Sequence, residues 1–594
     1  MPIPIETVQL ATARGRAGLL ALLLVAWLTH CSLPALAQRT LIEPEASTGL
    51  QTKTQTRARR HMVAAAHPLA VAAGLEMLRA GGTATDAAIA TQLVLGLVEP
   101  QSSGLGGGAF LLAWNARRRS LSSFDGRETA PAAATPERFP TDRTFDDLVG
   151  SGLSIGVPGV PRLLEAVHRA HGRLPWARLF QPAIRLAEGG FPVSPRLHAL
   201  LAKMGPNRFQ PRARGYFFSD DGRPWPAGHT LANPEYAATL KLLAARGSDA
   251  FYIGPIAQAI VAAARGVLPS PSDITLDDLA GYRVTSRPPV CFAYRARRIC
   301  SMGPPSSGGI ALGQILGLLQ PYDLGSRPGP SHNAAAMHLL TEAEKLAYAD
   351  RDRFIADPDA IPIPGGLLDL GYLTRRRTLI APDRAMPRPA PGRPPGLDRR
   401  ARGGDTTVEI AGTSHISIVD REGNAVAMTT TIEASFGSRV WAAGFLLNNQ
   451  LTDFARTPTD KDGVPLANAV GPGKRPRSSM APTIVLDRRG RVEAVLGSPG
   501  GSRIILYVAK ALVAMIDWRM GPQAAADLAN FGSRGTYMEI EKGTAAKLPT
   551  AALKALGHDV RADEMTSGLH IILRRGRHWL GGADPRREGL ARGD

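Results

Sequence analysis

Thr413 and Thr431 have the residue type and the spacing that nucleophilic chemistry needs. Residues 414–419 alternate polar and apolar side chains, which predicts a half-buried β-strand, and residues 425–432 form the return strand. A glycine-containing turn joins the two segments. A hairpin that folds about residue 422 sets Thr413 opposite Thr431, and a glycine bulge would shift this register by one residue.

Self-cleavage before Thr413 would turn this hydroxyl into a competent nucleophile. An ordinary threonine needs a neighbouring base, whereas an N-terminal threonine supplies one, because its α-amine has a pKa of about 8. Gly412 offers little steric hindrance, so the Thr413 hydroxyl can attack the 412–413 carbonyl and move the acyl group from nitrogen to oxygen before hydrolysis. Thr431 would then orient the new amine or hydroxyl. From the pattern alone, a structural threonine at a strand edge is the commoner interpretation.

Helical segments and a linker precede the hairpin. We expect a helical region from near Met62, including Pro68–Leu78, and a second helix that is capped near Thr83 and runs to about Leu97. Residues 383–402 are dominated by proline, arginine and glycine, which is typical of an exposed, mobile linker. The linker would give the cleavage point the freedom that self-processing needs.

Two glycine-rich stretches have different predicted settings. Gly104–Gly108 follows a helix, so it lacks the strand–glycine–helix order of a dinucleotide-binding loop. Residues 497–502 lie between a predicted strand, Val492–Leu496, and a predicted helix, Ile504–Met515. Backbone N–H groups at such a turn can surround a developing oxyanion. A phosphate loop is the alternative, but no Lys-Ser or Lys-Thr pair follows the glycines.

The composition and charge limit the possible functions. The chain has 594 residues, 44% of them hydrophobic, and a formal net charge of +19. The basic residues are spread along the chain without a zinc, KH or RRM signature, so we expect no nucleic-acid binding and only a general attraction to anionic surfaces.

The N-terminal residues predict export. Two arginines precede an apolar run, Ala17–Trp27, and the small-x-small pattern Ala35-Leu36-Ala37 follows. This pattern predicts a signal peptide over residues 1–37, with an apolar run too short to span a membrane. A lipoprotein site at Cys31 is disfavoured by the bulky His30. No later segment has the character of a membrane-spanning helix, so we expect an exported protein, periplasmic or secreted.

Two cysteines remain after the predicted signal. Cys291 and Cys300 flank a run that predicts two short strands around a turn at residues 295–296. Their thiols would face each other, and an oxidising compartment would permit a disulfide. Two buried free thiols are the alternative. Catalysis or metal binding by two isolated cysteines is disfavoured.

Many separated motifs, in the same order, make the chain resemble the γ-glutamyltransferase family of N-terminal-nucleophile hydrolases. The motifs are Gly81-Gly82, Gly104–Phe110, Arg127-Glu128, Pro304–Gly309, Glu342–Arg351, Thr413-Ser414-His415, Gly423–Ala427, Ser435–Gly437, Leu446–Gln450, Arg477–Met480 and Gly497–Arg503. The resemblance covers nearly the whole chain after the signal. It implies an α+β protein, an αββα sandwich of two stacked, mainly antiparallel sheets flanked by helices. It also implies a large subunit (38–412) and a small catalytic subunit (413–594) that form one αββα heterodimer without a metal or organic cofactor.

The resemblance also implies roles at the reacting centre. Thr413 corresponds to the nucleophile, and Thr431 corresponds to the supporting threonine, in agreement with the hairpin register. Gly500 and Gly501 correspond to the glycines of the oxyanion hole.

Five further residues match the family's donor site. Arg127 corresponds to the clamp for the substrate α-carboxylate, a role that suits the two parallel bonds of a guanidinium. Ser478 and Ser479 match the serines that help to hold this carboxylate. Asp453 matches the acid that binds the α-ammonium group, and Gln450 matches the residue that supports it.

Two features depart from the better-known relatives. Glu433 stands two residues after Thr431, where those relatives have asparagine, and we assign it to the substrate site. Its carboxylate would strengthen binding of an ammonium, disfavour an acidic group, or point elsewhere. The segment between Phe454 and Ala467 is polar, has no aromatic residue at its tip, and is shorter than the lid of several relatives. A more open pocket would let hydrolysis compete with transfer.

The expected reaction is γ-glutamyl transfer from glutathione or a related compound to water, an amino acid or a dipeptide. Two alternatives share the scaffold: a glutaryl or cephalosporin acylase, and a poly-γ-glutamate transpeptidase. Asp453, Arg127 and the serine pair favour a donor that is a free amino acid. The alternative from another class is an exported binding protein that never processes.

Overall fold

The computed structural model describes residues 49–325, 333–398 and 412–594, together with Met1, Ser47, residues 400, 402–405, 407 and 409. The predicted signal peptide lies outside the described residues, apart from Met1. Within the described ranges, no helix combines the length and apolarity needed to cross a membrane.

Most strands belong to two seven-stranded sheets. The strands are β1 Thr56–Ala58, β2 Met62–Ala65, β3 Gly108–Asn115, β4 Ser120–Gly126, β5 Phe191–Pro192, β6 Thr230–Leu231, β7 Thr285–Arg287, β8 Val290–Tyr294, β9 Arg297–Ser301, β10 Gly412–Val419, β11 Ala425–Glu433, β12 Trp441–Ala442, β13 Phe445–Leu446, β14 Thr483–Leu486, β15 Val492–Gly497, β16 Phe531–Gly532, β17 Met538–Glu541, β18 Val560–Asp563, β19 His570–Arg575, β20 His578–Ala583 and β21 Leu590–Gly593. One sheet has the order β1-β20-β19-β15-β14-β9-β8 and the other β21-β2-β10-β11-β3-β4-β7. All neighbouring strands within these two sheets run antiparallel.

Helices cover the outer faces of the stacked sheets. They are α1 Pro68–Arg79, α2 Ala84–Val98, α3 Phe145–Val149, α4 Val160–His171, α5 Trp176–Gly189, α6 Pro195–Met204, α7 Pro211–Phe217, α8 Pro234–Arg246, α9 Asp249–Tyr252, α10 Pro255–Arg265, α11 Leu276–Gly281, α12 Gly308–Leu319, α13 Ala334–Phe354, α14 Leu370–Arg377, α15 Ile504–Ile516, α16 Pro522–Asp527 and α17 Thr550–Ala555. Helices α1 and α2 pack on the outer face of the sheet that contains β10 and β11. The inner face of this sheet packs on the sheet that contains β15 and β19. Helices α12 and α15 cover the outer face of that second sheet. The expected αββα sandwich is confirmed.

The predicted helix start near Met62 is wrong. Residues Met62–Ala65 form strand β2, which pairs with β10 on one side and β21 on the other, and helix α1 begins only at Pro68. Pairing within a buried sheet overrides the helix propensity of this alanine-rich stretch. The second helix is confirmed: it spans Ala84–Val98 and begins with a reciprocal capping box between Thr83 and Asp86.

Strand β10 is buried on both faces. The prediction of a half-buried strand, made from its polar–apolar alternation, is therefore wrong. Ile416 and Ile418 pack into the core beneath the helices of one outer layer. The hydroxyl of Ser417 points towards the other sheet, where it donates to the backbone carbonyl of His570 (3.0 Å). The polar–apolar alternation separates a helix-facing side from a sheet-facing side, because a sandwich core covers both faces of its inner strands.

The predicted linker has no helix or strand among its described residues, 383–398, 400 and 402, and several of its backbone groups are hydrogen bonded. Ala385 N donates to Leu556 O (2.7 Å), and Met386 N donates to the Glu342 carboxylate (2.7 Å). Gly392 N donates to the Asp350 carboxylate (2.8 Å). The segment is therefore attached along helix α13, and its mobility stays a prediction.

Cys291 and Cys300 form a disulfide, one of the two alternatives left open by the sequence. They are opposite each other in the β8–β9 hairpin, with Cα atoms 4.1 Å apart. The turn contains Arg295 and Ala296, both with positive φ (46° and 61°), at the predicted positions.

Replacing both cysteines by serine is expected to lower the free energy of unfolding by about 2–3 kcal/mol, since the bond closes a short loop in the unfolded chain. The measurement is urea unfolding of the oxidised wild type and the double variant. Reductant should bring the wild type to the midpoint of the variant and leave the variant unchanged. Equal urea midpoints for the oxidised wild type and the double variant would contradict the prediction.

Candidate active site

The β10–β11 hairpin places Thr413 opposite Thr431, as the sequence predicted. The pairs run from Thr413–Thr431 to Val419–Ala425, and a bulge between Gly412 and Thr413 shifts the next pair to Gly412–Glu433. The bulge therefore occurs at the bond whose cleavage the sequence predicts. Such bulges locally redirect a strand and its carbonyl groups.

Hydrogen bonds connect the two threonines to this bond in the uncut chain. The Thr413 hydroxyl donates to Thr431 Oγ1 (3.2 Å), and the Thr431 hydroxyl donates to the carbonyl oxygen of Gly412 (2.8 Å). Glu433 N also donates to Thr431 Oγ1 (2.8 Å). Both threonines are buried. The donor on the Gly412 oxygen polarises the carbonyl carbon that the neighbouring Thr413 hydroxyl would attack.

Gly412 has no room for a side chain. A Cβ at this position would lie 2.2 Å from the carbonyl oxygen of Glu433 and 2.7 Å from the carbonyl carbon of Ala434. Both obstacles are backbone atoms of the paired strand, so the hairpin itself would have to shift.

Replacing Gly412 by alanine is expected to slow cleavage before Thr413 by about a hundredfold, because the shifted carbonyl would lose its alignment with the Thr431 hydroxyl. Denaturing gels over time would give the rate constant. Gly404→Ala is the matched control, since a Cβ at Gly404 meets nothing within 4 Å. Equal cleavage rates for the two variants would show that the packing at Gly412 does not matter.

The glycine turn predicted as an oxyanion hole follows strand β15. Gly500 and Gly501 have positive φ values of 140° and 56°, and helix α15 begins shortly after them. At the start of the turn, a Cβ on Gly497 would lie 2.3 Å from the His415 ring, so β15 and β10 are in close contact. The strand and helix boundaries predicted on either side of this turn are confirmed to within one residue.

Arg587 links this glycine turn to the nucleophile strand. Its Nη1 donates to the carbonyl oxygen of Thr413 (3.2 Å). Its side chain also lies beside Pro499 of the turn, because a Cβ built on Gly568 would contact both residues. The tertiary structure therefore brings the turn and Thr413 to the same region.

Four of the predicted donor-site residues form one buried cluster. Arg127 donates to a carboxylate oxygen of Asp453 and to the carbonyl oxygens of Pro476 (3.2 Å) and Arg477 (2.9 Å). Gln450 Nε2 donates to Asp453 (2.7 Å) and to Glu433 (3.0 Å). The Glu433 side chain therefore points into this buried cluster, and its role towards a substrate stays a prediction.

Burial and charge together set the ionisation of this cluster. Burial raises the pKa of Asp453 to about 6, although the Arg127 guanidinium acts in the opposite direction. Burial likewise raises the pKa of Glu128 to about 8, against the influence of Arg127, whose Nη1 is 3.8 Å away. The single guanidinium thus has three acidic neighbours, counting Glu433. Such perturbed carboxylates are typical of functional sites.

The predicted serine pair lies directly after Arg477, whose carbonyl oxygen accepts from Arg127. The Ser478 hydroxyl accepts from Met480 N (3.1 Å). The Ser479 hydroxyl accepts from Arg351 Nη2 (2.8 Å). In the uncut chain, Ser479 is thus bonded to Arg351, a residue that the sequence did not assign to the site.

Arg351 and Arg477 are buried and paired with acidic residues upstream of Thr413. Both lie close to the Glu409 carboxylate, and Arg477 Nη2 is 3.0 Å from Asp405. Arg351 ends the motif Glu342–Arg351, and Arg477 opens the motif Arg477–Met480, so both were visible in the sequence as members of motifs. The sequence carried no signal that they meet.

One group of possible metal ligands lies elsewhere, on α13 and beyond α17. His338, Glu342 and His558 are buried with ligand atoms within 4.8 Å of one another. The two imidazoles are hydrogen bonded to each other (2.8 Å), and Lys345 Nζ bonds to the Glu342 carboxylate (2.8 Å). An ammonium at this position opposes a second cation, so we assign the group to the packing of the helix.

The architecture is that of the N-terminal-nucleophile hydrolases, with the candidate threonine at the start of an inner strand. Comparison with known proteins defines the group further: the chain belongs to the gamma-glutamyltranspeptidase family, whose model matches residues 70–593. It is an enzyme of that family, as the sequence predicted.

Three relatives illustrate the range of the family. The Escherichia coli (strain K12) glutathione hydrolase proenzyme is 36% identical over 551 residues, which cover 89% of this chain and 91% of the relative. The acylase ACY 1 proenzyme of Pseudomonas sp. (strain SE83) is 36% identical over 533 residues, 86% and 89% of the two chains. The crystal structure of cephalosporin acylase from Bacillus halodurans superposes with a TM-score of 0.78 at 26% identity, covering 93% of this chain and 99% of the other.

Proposed function

We propose that this enzyme is made as a precursor that cuts itself before Thr413 and then uses that threonine to cleave γ-glutamyl amides. The observation that carries the proposal is the hydrogen-bond chain from Thr413 through Thr431 to the carbonyl of Gly412. The products would be a large subunit, residues 38–412, and a small subunit, residues 413–594, held together as a heterodimer. The word proenzyme in the names of the relatives supports processing.

Self-cleavage would proceed through an ester. The Thr413 oxygen attacks the carbonyl carbon of Gly412, the carbon–nitrogen bond breaks, and the hydroxyl proton passes to the freed amine. Water then hydrolyses the ester, leaving a carboxylate on Gly412 and a free hydroxyl on Thr413. Thr431, which donates to the attacked carbonyl, stabilises the negative charge that develops on this oxygen.

Turnover would repeat this chemistry on a donor amide. The α-amine of Thr413 takes the hydroxyl proton while the oxygen attacks, and it passes the proton to the departing amine. The N–H groups of Gly500 and Gly501 are our candidates for holding the oxyanion. The acyl group on Thr413 is then released by water, an amino acid or a dipeptide.

The donor site supports a substrate with an α-ammonium group. Asp453 Oδ1 and Gln450 Oε1 are buried without a hydrogen-bond partner among the residues that the structure describes. With Glu433, they make a region of acceptors that an ammonium would satisfy. We therefore favour γ-glutamyl compounds such as glutathione over glutaryl amides, which lack that group.

Cleavage of glutaryl side chains, as in cephalosporin-type amides, is the second candidate function. The acylase ACY 1 proenzyme and the Bacillus halodurans cephalosporin acylase support it, since both align over most of this chain. It needs the carboxylate-binding groups but no acceptor for an ammonium. Transpeptidation of poly-γ-glutamate has less support here.

The choice between the γ-glutamyl and the glutaryl donor can be tested with chromogenic anilides of both acids, measured on the same purified, processed enzyme. We expect kcat/KM to be at least about tenfold higher for the γ-glutamyl anilide, the effect of one charge-assisted hydrogen bond. A higher value for the glutaryl anilide would make the acylase the better assignment. Release of the aniline from neither donor would contradict both candidate functions.

The proposal also covers the balance between hydrolysis and transfer of the acyl group. Residues 454–467 form a polar loop, closed by pairing between Thr459 and Pro465, with exposed residues at its tip. An open donor site would favour water as the acceptor.

We propose export to the periplasm or the medium on the basis of the signal-like residues 1–37.

A further inference from the structure

The fold gathers arginines at one end of the sandwich, although the sequence spreads them along the chain. In one sheet the β3–β4 and β10–β11 turns are neighbours, since Trp114 near the end of β3 pairs with Ala425 at the start of β11. In the other sheet the β8–β9, β14–β15 and β19–β20 turns are neighbours in the same way. The two groups of turns meet, because a Cβ on Gly490 would lie 3.0 Å from the Arg119 guanidinium. Each of these five turns carries arginine.

Three adjoining clefts cross this end, from the helical layer over one sheet to the other. The helix cleft, about 790 Å³, lies between the β3–β4 turn, the β10–β11 turn and the end of α4. The central cleft, about 430 Å³, lies between the β3–β4, β10–β11 and β14–β15 turns. The outer cleft, about 290 Å³, lies between the β8–β9 and β14–β15 turns.

Neighbouring clefts share their walls. Trp114, Ala116 and Glu422 line both the helix cleft and the central cleft. Arg489 and Arg491 line both the central cleft and the outer cleft. The row is about 20 Å long, since each layer of the sandwich adds about 10 Å. It is therefore long enough for an extended chain and too long for one small anion.

Positive charge dominates the row of clefts. Among the residues that line the clefts, arginines outnumber carboxylates by nine to three. Each carboxylate already has an arginine partner: Glu422 is 3.2 Å from Arg173, Asp487 is 2.9 Å from Arg491, and Glu493 is 2.9 Å from Arg297. Arg118, Arg488 and Arg489 are exposed and have no acidic partner within the described ranges. Their guanidinium groups are available to an anion from outside.

The turns that carry these arginines are held in fixed shapes. The Asp487 carboxylate accepts from the backbone N–H groups of Arg489 and Arg491 (both 2.9 Å). The Asn115 side chain likewise accepts from the backbone N–H of Arg118 (2.9 Å). Because the backbone is already ordered, binding costs less conformational entropy than it would on a loose loop.

The lining of the clefts distinguishes between kinds of anionic partner. A bilayer is flat, and none of the exposed large apolar side chains that the structure describes lines a cleft. Single-stranded nucleic acid binds through stacked bases, but Trp114 and Trp579 are only 6% and 7% exposed. The amide side chains of Asn115 and Asn424 line the helix cleft. They suit sugar hydroxyl groups, which an acidic peptide lacks.

We propose that the three clefts form one binding site for an extended acidic polysaccharide, whose carboxylate or sulfate groups pair with the arginines. Guanidinium groups bind such anions through two parallel bonds. The site lies away from the nucleophile, since Thr413 and the β10–β11 turn are at opposite ends of β10, about 24 Å apart at about 3.4 Å per residue. The enzyme would hold the polymer with its reacting centre facing away.

The first test uses galacturonate oligomers, which carry one carboxylate on each sugar, and measures binding by calorimetry. The decamer should bind at least about tenfold more tightly than the dimer, because the dimer fills only part of the row. Added salt should weaken this binding, since exposed charges are screened. The neutral maltodextrin decamer should not bind. Equal affinity for the dimer and the decamer of galacturonate would overturn the extended site.

The second test locates the site with two triple variants of equal net charge. The first combines Arg118→Gln, Arg488→Gln and Arg489→Gln, and should bind the galacturonate decamer at least about tenfold more weakly than wild type. The control combines Arg214→Gln, Arg246→Gln and Arg375→Gln, three exposed arginines on α7, α8 and α14. It should stay within about twofold of wild type, since screening limits the effect of distant charges. Equal losses in the two variants would overturn the site.

The third test concerns the kind of polymer. At equal concentrations of charged groups, the galacturonate decamer should bind more tightly than poly-α-glutamate, single-stranded DNA or phosphatidylglycerol vesicles. Tighter binding of any of these three, lost in the first triple variant, would overturn the choice of a polysaccharide.

The position of the site can be tested with the processed enzyme. A saturating concentration of the galacturonate decamer should leave kcat/KM for the γ-glutamyl anilide unchanged. Inhibition that persists in the first triple variant would overturn the assignment to the clefts. The calorimetry needs no activity, so wild-type protein that stays uncut would contradict the proposed function and still decide the binding site.

Discussion

Thr413→Ala is expected to remain a single chain without anilide-cleaving activity, whereas wild-type protein separates into two fragments on a denaturing gel. The smaller fragment should begin at Thr413 when its N-terminus is sequenced. The alanine removes both the oxygen that attacks Gly412 and the nucleophile of turnover, so the loss of kcat should be at least about 10⁴-fold. This is the largest effect that the structure leads us to expect.

Two companion variants separate chemistry from folding. Thr413→Ser keeps an oxygen and should cut, more slowly than wild type. Thr430→Ala removes a buried hydroxyl from the same strand as Thr431, one that has no hydrogen-bond partner among the described residues, and should process. A Thr413→Ala protein that still cut at the same bond would show that another group supplies the nucleophile.

Asp453→Asn is expected to lower kcat/KM for a γ-glutamyl anilide by at least about a hundredfold and for a glutaryl anilide by a smaller factor. The carboxylate would bind the α-ammonium group, which only the first donor has, and charge-assisted bonds are the strong ones. The substitution keeps the shape of the side chain beside Gln450 and Arg127. Steady-state kinetics with both donors on processed protein is the measurement.

The structural part of this effect can be measured separately. Arg127 would lose its closest acidic partner, and breaking a buried pair can cost about 3–5 kcal/mol. We therefore expect a lower melting temperature for Asp453→Asn. This loss of stability affects the kcat/KM values of both donors equally, because both are measured on the same protein, so a difference between the donors reports on substrate binding alone. Equal losses for the two donors would assign Asp453 a structural role.

Local sequence patterns predicted the hairpin of the nucleophile well. The two strands, the turn between them and the Thr413–Thr431 pair follow from period-two alternation and a short connection, which fix the register through nearby residues. The capping box at Thr83 and the Cys291–Cys300 hairpin are predictable for the same reason. Each depends on contacts within about 20 residues.

The errors lie where distant packing decides the outcome. Met62–Ala65 is a strand because β10 and β21 pair with it, and β21 is near the end of the chain. Strand β10 is buried on both faces because a second sheet packs on it. Neither partner is visible in the local pattern, and long-range pairing overrides weak helix propensity.

The sequence by itself determined the family, through motifs in order along the chain, and the geometry at Thr413, through a short hairpin. Only the tertiary structure decided which distant charged residues meet: Arg127 contacts Asp453 across 326 residues, and Arg351 contacts Glu409 and Ser479 across 58 and 128 residues. Sequence spacing cannot predict such pairs, because they form when separate elements are buried together and each charge must find a partner.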